Sequence, residues 1–139
     1  YGPSYVSMQT ALRHYGLIPE SVHTTTSLTF RASKLYENST GRYEYLHCAS
    51  DYYSIGIRQV VEDDYAYLIA SPEKALCDLI VYTPRLRLRF VKNMETYLEE
   101  DIRFDMDEFY KMDETIFKQC AYVSKKKTEI NNLIKLLKR

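Results

Sequence analysis

Tryptophan is absent from this 139-residue sequence, and glycine is scarce: Gly2, Gly16, Gly41 and Gly56 are the only four. None of them belongs to a GxGxxG or GxxxxGK run, so the sequence holds no glycine-rich phosphate loop, and no GxSxG elbow presents a serine nucleophile. Cys48, Cys77 and Cys120 are odd in number and far apart, which argues against a disulfide scaffold and predicts small buried hydrophobes. His14, His23 and His47 are not grouped with cysteines or acids at metal-ligand spacing, so neither a metal nor a cofactor is expected. His47 and Cys48 are adjacent, and neighbours on a strand point to opposite faces, which argues against a nucleophilic dyad. No stretch approaches the ~20 apolar residues of a membrane span, and the expectation is a soluble, cytoplasmic domain. The chain begins at Tyr1 rather than Met, which predicts that further sequence precedes it.

Net charge is also lacking: 19 basic side chains balance 19 acidic ones. The balance conceals blocks of opposite sign. Arg85, Arg87, Arg89 and Lys92 are followed by residues 93–114, with nine acids against Arg103 and Lys111, and then by residues 115–139, with seven basic side chains against Glu129. Faces of opposite sign follow, able to meet within the fold, between protomers or against a partner. What is abundant is tyrosine, 14 residues, suited both to half-buried strand positions and to stacking surfaces.

With 45% apolar residues the chain has material for one domain with a sizeable core. Ser7 is placed to cap a short helix carrying Met8, Ala11, Leu12 and Tyr15 on one face, which Gly16 ends. Residues 22–30 read as a strand, and 33–38 with 42–48 as a hairpin around Asn38-Ser39-Thr40-Gly41, in which Tyr43, Tyr45 and His47 alternate. Residues 54–61 and 65–70 are two more strands about an acidic turn, and such short connections predict a largely antiparallel sheet. Ser71-Pro72-Glu73 is a strong helix start, with Ala75, Leu76, Leu79 and Ile80 as its buried stripe and Pro84 as its stop. Helices follow: one marked by Met94, Tyr97 and Leu98, one opened by an Asp105/Glu108 capping box, one over 114–122, and a last one capped by Ser124 with Ile130, Leu133, Ile134 and Leu137 along one face. The order predicts an α+β fold, a largely antiparallel sheet with a helical layer, as one domain over 1–139 without repeats or linkers.

Carboxylates for a two-metal nuclease can be assembled on paper from Glu37, Glu44, Asp63, Asp64 and the Glu73-Lys74 pair, but their spacing does not single them out. Glu37 and Glu44 read as cross-strand neighbours, Lys74 as solvated, and Asp78 as a boundary carboxylate awaiting a partner, which Lys74 at i,i+4 spacing could supply. The basic segment 84–92 places Arg85, Arg87 and Arg89 on one side and Leu86, Leu88 and Phe90 on the other if extended, the three guanidinium groups facing a phosphate backbone, RNA or an acidic protein. It equally describes a plain edge strand or connection neutralised by the acidic block. Lys125, Lys126 and Lys127 open a basic amphipathic helix, whose polar face meets solvent or an anionic partner.

The order PSYVSMQTALRHYGLIPE, a threonine-rich strand, NSTGRYEYLH and AYLIASPEKALCDLI closely resembles the C-terminal domain of AbiEi-type antitoxins, transcriptional regulators of a viral defence system. The likeness runs from about Pro3 to Tyr82, and its most specific piece is Ala70 to Leu79, containing Ser71, Pro72, Glu73, Lys74 and Asp78. The resemblance implies a non-catalytic effector domain that counteracts a nucleotidyltransferase toxin, without a stable toxin complex being required. It also implies an N-terminal winged helix-turn-helix, outside this chain, that binds operator DNA, and it is compatible with a homo-oligomer. The alternatives are a nuclease-like domain and a plain dimerisation module.

Overall fold

Six strands and seven helices make up a computed structural model that describes residues 2–139. The strands are β1 (Ser4–Val6), β2 (Thr24–Thr29), β3 (Lys34–Asn38), β4 (Gly41–His47), β5 (Ile57–Val61) and β6 (Ala66–Ala70), in the spatial order β3-β4-β2-β1-β6-β5. Helices dominate the C-terminal half, so the fold is α+β as the order of patterns predicts.

Three pairings are antiparallel, β1 with β2, β3 with β4 and β5 with β6, while β2–β4 and β1–β6 are parallel. The sheet is therefore mixed. The hairpin inserts β4 rather than β3 beside β2, and residues 30–33 pass over the end of β4. There the His47 amide donates to Ser33 Oγ (3.0 Å) and the Cys48 amide to the Thr29 carbonyl (2.8 Å). Helix α1 (Met8–His14) begins directly after β1 and closes the gap this leaves along β2. The Ser7 amide donates to the Thr26 carbonyl (2.9 Å), and the Thr10 hydroxyl donates to the Thr24 carbonyl (3.1 Å) and accepts from the Thr26 amide (3.0 Å). One side-chain hydroxyl thus replaces a strand's donor and acceptor, which satisfies backbone groups that would otherwise lack partners. Gly16, at φ 74°, then turns the chain out of the helix.

Tyr36, Tyr43, Tyr45 and Tyr67 occupy half-buried strand positions, as their amphipathic rings favour, whereas Tyr5, Tyr52 and Tyr97 are buried and Tyr110 and Tyr122 exposed. Tyr36 stacks on Tyr43 (5.3 Å) and Tyr45 (5.9 Å), and Tyr67 on the exposed Tyr65 (6.1 Å). All three cysteines are buried and free.

Helix α2 (Ser50–Tyr53) is a single turn with no periodic signal in the sequence. Helix α3 (Pro72–Tyr82) is capped as its sequence predicts: Ser71 Oγ accepts from the Lys74 amide (3.2 Å) and Pro72 holds the first position. It is buried far beyond one stripe, every residue from Glu73 to Ile80 being inaccessible, so α3 is the central helix of the domain. Helix α4 (Val91–Thr96) continues into a π-helical turn, Tyr97–Asp101, with Met94, Tyr97 and Leu98 inward. Asp105 caps α5 (Met106–Phe109) through the Glu108 amide, but the Glu108 carboxylate bonds Lys111, so only half of the expected capping box forms. Helices α6 (Glu114–Val123) and α7 (Lys127–Leu137) pack on each other and on α3. Ser124 does not cap α7. It ends α6 and accepts from the Lys126 amide (2.9 Å), and Lys126 takes the N-cap position.

Gly56 lies where β5 meets α3. At φ 62° its carbonyl accepts from the Ser71 amide (2.8 Å), and a Cβ there would stand 2.9 Å from Ser71 Oγ, 3.1 Å from Lys74 Cβ and 3.2 Å from Ile116 Cγ2. Left-handed strain of about 1–2 kcal/mol adds to overpacking of about 1–3 kcal/mol. Gly56→Ala is expected to destabilise the domain by about 2–5 kcal/mol in urea titration, whereas Gly16→Ala, with open space around its Cβ, should cost only the backbone part.

Candidate functional site

Lys74 and Asp78, four apart on the most buried helix, are both fully inaccessible. The Lys74 ammonium donates to the carbonyls of Tyr52 (2.6 Å), Ile55 (2.8 Å) and Tyr53 (3.3 Å) and lies over the rings of Tyr52 and Tyr5. Asp78 accepts from the hydroxyls of Tyr5 (2.9 Å) and Ser7 (2.5 Å) on one oxygen and of Tyr52 (2.5 Å) on the other. Burial raises the Asp78 pKa against the opposing effects of the Lys74 charge and the three hydroxyl donors, and burial lowers that of Lys74. The expectation of a solvated lysine and a boundary carboxylate is corrected on both counts. Nor do the two bond each other directly. Each is partnered by other groups: three N–H donors meet three carbonyls, and three hydroxyls meet one carboxylate. Ser7 makes no side-chain cap to α1 because its hydroxyl is spent on Asp78. This cluster ties β1, the start of α1, α2 and α3 together.

The carboxylates of the nuclease-like reading are dispersed. Glu37 lies opposite Arg42 and Glu44 opposite Leu35, not opposite each other, because the turn pairs Asn38 with Gly41. Glu73 is buried and accepts from the Asp113 amide (3.2 Å), while Asp63 and Asp64 are exposed in the β5–β6 turn. No group of three or more histidine, cysteine or acidic side chains suited to a metal ion occurs among the described residues. The Cys48 thiol is pushed up to about 12 by burial and then by Asp78, so it remains protonated, and exposed His47 places Nδ1 3.0 Å from the Arg31 carbonyl.

The two basic segments, by contrast, meet. Pro84 stops α3 and the chain runs irregularly to Phe90, with Arg85 in the left-handed region (φ 64°). Arg85, Arg87 and Arg89 are exposed, Leu86 is half-buried and Leu88 buried, so the in–out alternation survives without a strand as far as Arg89, but Phe90, expected on the inward face, is exposed. Two side chains of the last helix region pin it: Lys126 Nζ donates to the Leu86 carbonyl (2.9 Å), and buried Asn132 donates to the Leu88 carbonyl (2.8 Å). Lys125 and Lys127 flank Lys126 and are exposed, and Lys92 stands exposed in the first turn of α4. None of these seven cations forms an ion pair among the described residues. The opposite-sign blocks do meet, but at the other end of α7, where Lys138 pairs with Glu114 (3.3 Å) and Arg139 with Glu95 (3.9 Å). The α7 N-terminal end, with Glu129 as its one first-turn acid, is left as a cationic junction without an ion pair among the described residues.

A cleft of about 370 Å³ opens beside it, lined by His47, Cys48, Ala49, Tyr52, Val81, Tyr82 and residues 123–126. Sequence reasoning missed this cleft, because its walls come from three separate stretches. It also missed Asn132, whose only signal was a polar residue inside an apolar stripe. Among known protein families, curated proteins and solved structures, nothing matches this chain.

Proposed function

We propose that the chain is the non-catalytic effector domain of an AbiEi-type antitoxin and transcriptional regulator, counteracting a nucleotidyltransferase toxin in the cytoplasm and supporting operator binding by a winged-helix domain outside this chain. The observation that carries the reading is the convergence of residues 85–89 with residues 125–127 into a cationic face that forms no ion pair among the described residues. Such a face suits nonspecific binding to nucleic-acid phosphates, which adds affinity without reading sequence. Support for a non-catalytic role comes from the most specific part of the family resemblance: the three N–H donors of Lys74 and three acceptor sites of Asp78 are spent on holding the fold.

The test is toxin rescue. Coexpression of this domain with a nucleotidyltransferase encoded beside it is expected to restore growth, and Arg85→Ala/Arg87→Ala/Arg89→Ala, folded and equally abundant, is expected to lose that rescue. No rescue by the folded wild-type domain would reject autonomous neutralisation, and undiminished rescue by the triple variant would remove the basic face from it.

A further inference from the structure

We propose that the cleft beside the cationic junction is a binding site for a phosphorylated nucleoside, either a free nucleotide or a nucleotide unit at the end of an RNA strand. The proposal rests on the preceding reading only in using the same cations. Its chemistry comes from the cleft itself.

The volume, about 370 Å³, lies within the range of roughly 300–1,000 Å³ usual for small-molecule sites. One wall carries the half-buried Tyr82 ring, which meets the buried Tyr52 edge-on at 5.8 Å; Tyr52 lies beneath, its ring covered by the Lys74 ammonium and its hydroxyl bonded to Asp78. Val81 and Val123 complete an apolar slot suited to a flat base, with the His47 imidazole at the edge. Lys125 and Lys126 lie in the lining and no carboxylate does. The one acid directly behind the wall, Asp78, is sealed off by three hydroxyls, and Asp51, next to the Cys48–Ala49 side, is exposed in α2.

The cleft also adjoins the start of α7, an 11-residue helix whose N-cap residue, Lys126, supplies no side-chain acceptor to the first-turn amides. Its ammonium is held on the Leu86 carbonyl instead. The first turn carries its own acid, Glu129, and does not line the cleft, so an anionic oxygen here meets the exposed ammonium of Lys125 rather than the helix end. Aromatic slot and anion site therefore share one cleft. That combination selects a ligand with a planar ring at one end and a phosphate at the other.

Calorimetric titration at low salt of the folded domain with adenosine 5′-monophosphate, adenosine, inorganic phosphate and a five-nucleotide oligoribonucleotide tests this. The monophosphate is expected to bind about tenfold or more tightly than adenosine or phosphate alone, since stacking and anion binding each contribute. Lys125→Ala and Ala49→Trp, the latter filling the cleft from an exposed rim position, should each weaken it about tenfold, while Lys111→Ala should leave it unchanged. An oligoribonucleotide that competes with the monophosphate and binds more tightly identifies an RNA end as the source; equal or weaker binding identifies a free nucleotide. Absence of saturable binding by the monophosphate and oligoribonucleotide, equal affinity for phosphate and monophosphate, or indifference to Lys125→Ala and Ala49→Trp would overturn the proposal. Binding is read without the toxin, so failed rescue and failed binding are separate results.

Discussion

Asp78→Ala is expected to destabilise the domain by about 3–5 kcal/mol, a large part of the roughly 5–15 kcal/mol that holds a domain of this size folded. The variant leaves the hydroxyls of Tyr5, Ser7 and Tyr52 without their acceptor and the buried Lys74 charge without a nearby anion. Lys74→Met should cost a similar amount, because it orphans the carbonyls of Tyr52, Tyr53 and Ile55 beside a buried carboxylate. Combined in one chain, the two substitutions should cost at least about 1 kcal/mol less than their sum, since each single variant strands the other's charge. Urea unfolding of the four proteins measures this. Single losses below about 1 kcal/mol, the size of an ordinary surface change, would remove the cluster from its structural role.

The same cluster gives a pH dependence of definite sign. Because burial raises the Asp78 pKa above its ordinary 3.8, the folded state binds that proton more tightly than the unfolded chain does. Its contribution to stability is complete below 3.8 and is lost as pH rises through the raised value. Lys74 behaves oppositely: lowered from 10.5 by burial, it stabilises above that value and loses the contribution as pH falls. Exposed Asp113 and Glu114 are held down, Asp113 by donors at Thr115 and Glu114 by Lys118 and Lys138, so their contribution is lost as pH falls. A comparison of wild type with Asp78→Asn cancels those exposed groups. The stability difference is expected to favour the wild type most below 3.8 and to decline as pH rises through the raised Asp78 value. A difference that grows with that rise would contradict the burial argument.

What the sequence made legible was local. Ser71-Pro72-Glu73 announced α3 because a cap, a fixed φ and an acid at the positive helix end act within one turn. Asn38 to Gly41 announced the hairpin for the same reason. Asp78 stood out as a carboxylate in an apolar stretch needing a partner, but its partners lie 73, 71 and 26 residues away, and no local pattern names them. Lys74 was misjudged because its carbonyl acceptors come from in and around α2, a one-turn helix without periodicity. The parallel pairings escaped an argument from short connections, since β1 reaches β6 only through the whole intervening chain. Likewise both basic segments were visible, yet their meeting depends on Lys126 and Asn132 reaching carbonyls 40 and 44 residues away.

That meeting has the second large consequence. With a net charge of zero, the molecule offers no global attraction to a polyanion, so whatever affinity it has for nucleic acid must come from where its charges stand. Arg85→Gln/Arg87→Gln/Lys125→Gln removes three exposed cations that form no ion pair among the described residues, whereas Lys118→Gln/Lys135→Gln/Lys138→Gln removes the same charge from α6 and the rest of α7, where Lys118 and Lys138 already pair with Glu114. Binding of a duplex of arbitrary sequence, followed as salt is raised, should therefore fall steeply in the first variant, and its log–log salt slope should shrink by about 2–3, near 0.9 for each phosphate that is no longer neutralised. The second variant should change the slope by less than about 1. Folding stability should stay within about 0.5 kcal/mol in the first, because none of its three side chains is ion-paired to another element. Equal weakening in the two variants would mean that total charge rather than the junction governs binding, and the assignment of function to the Arg85–Lys127 face would fail with it.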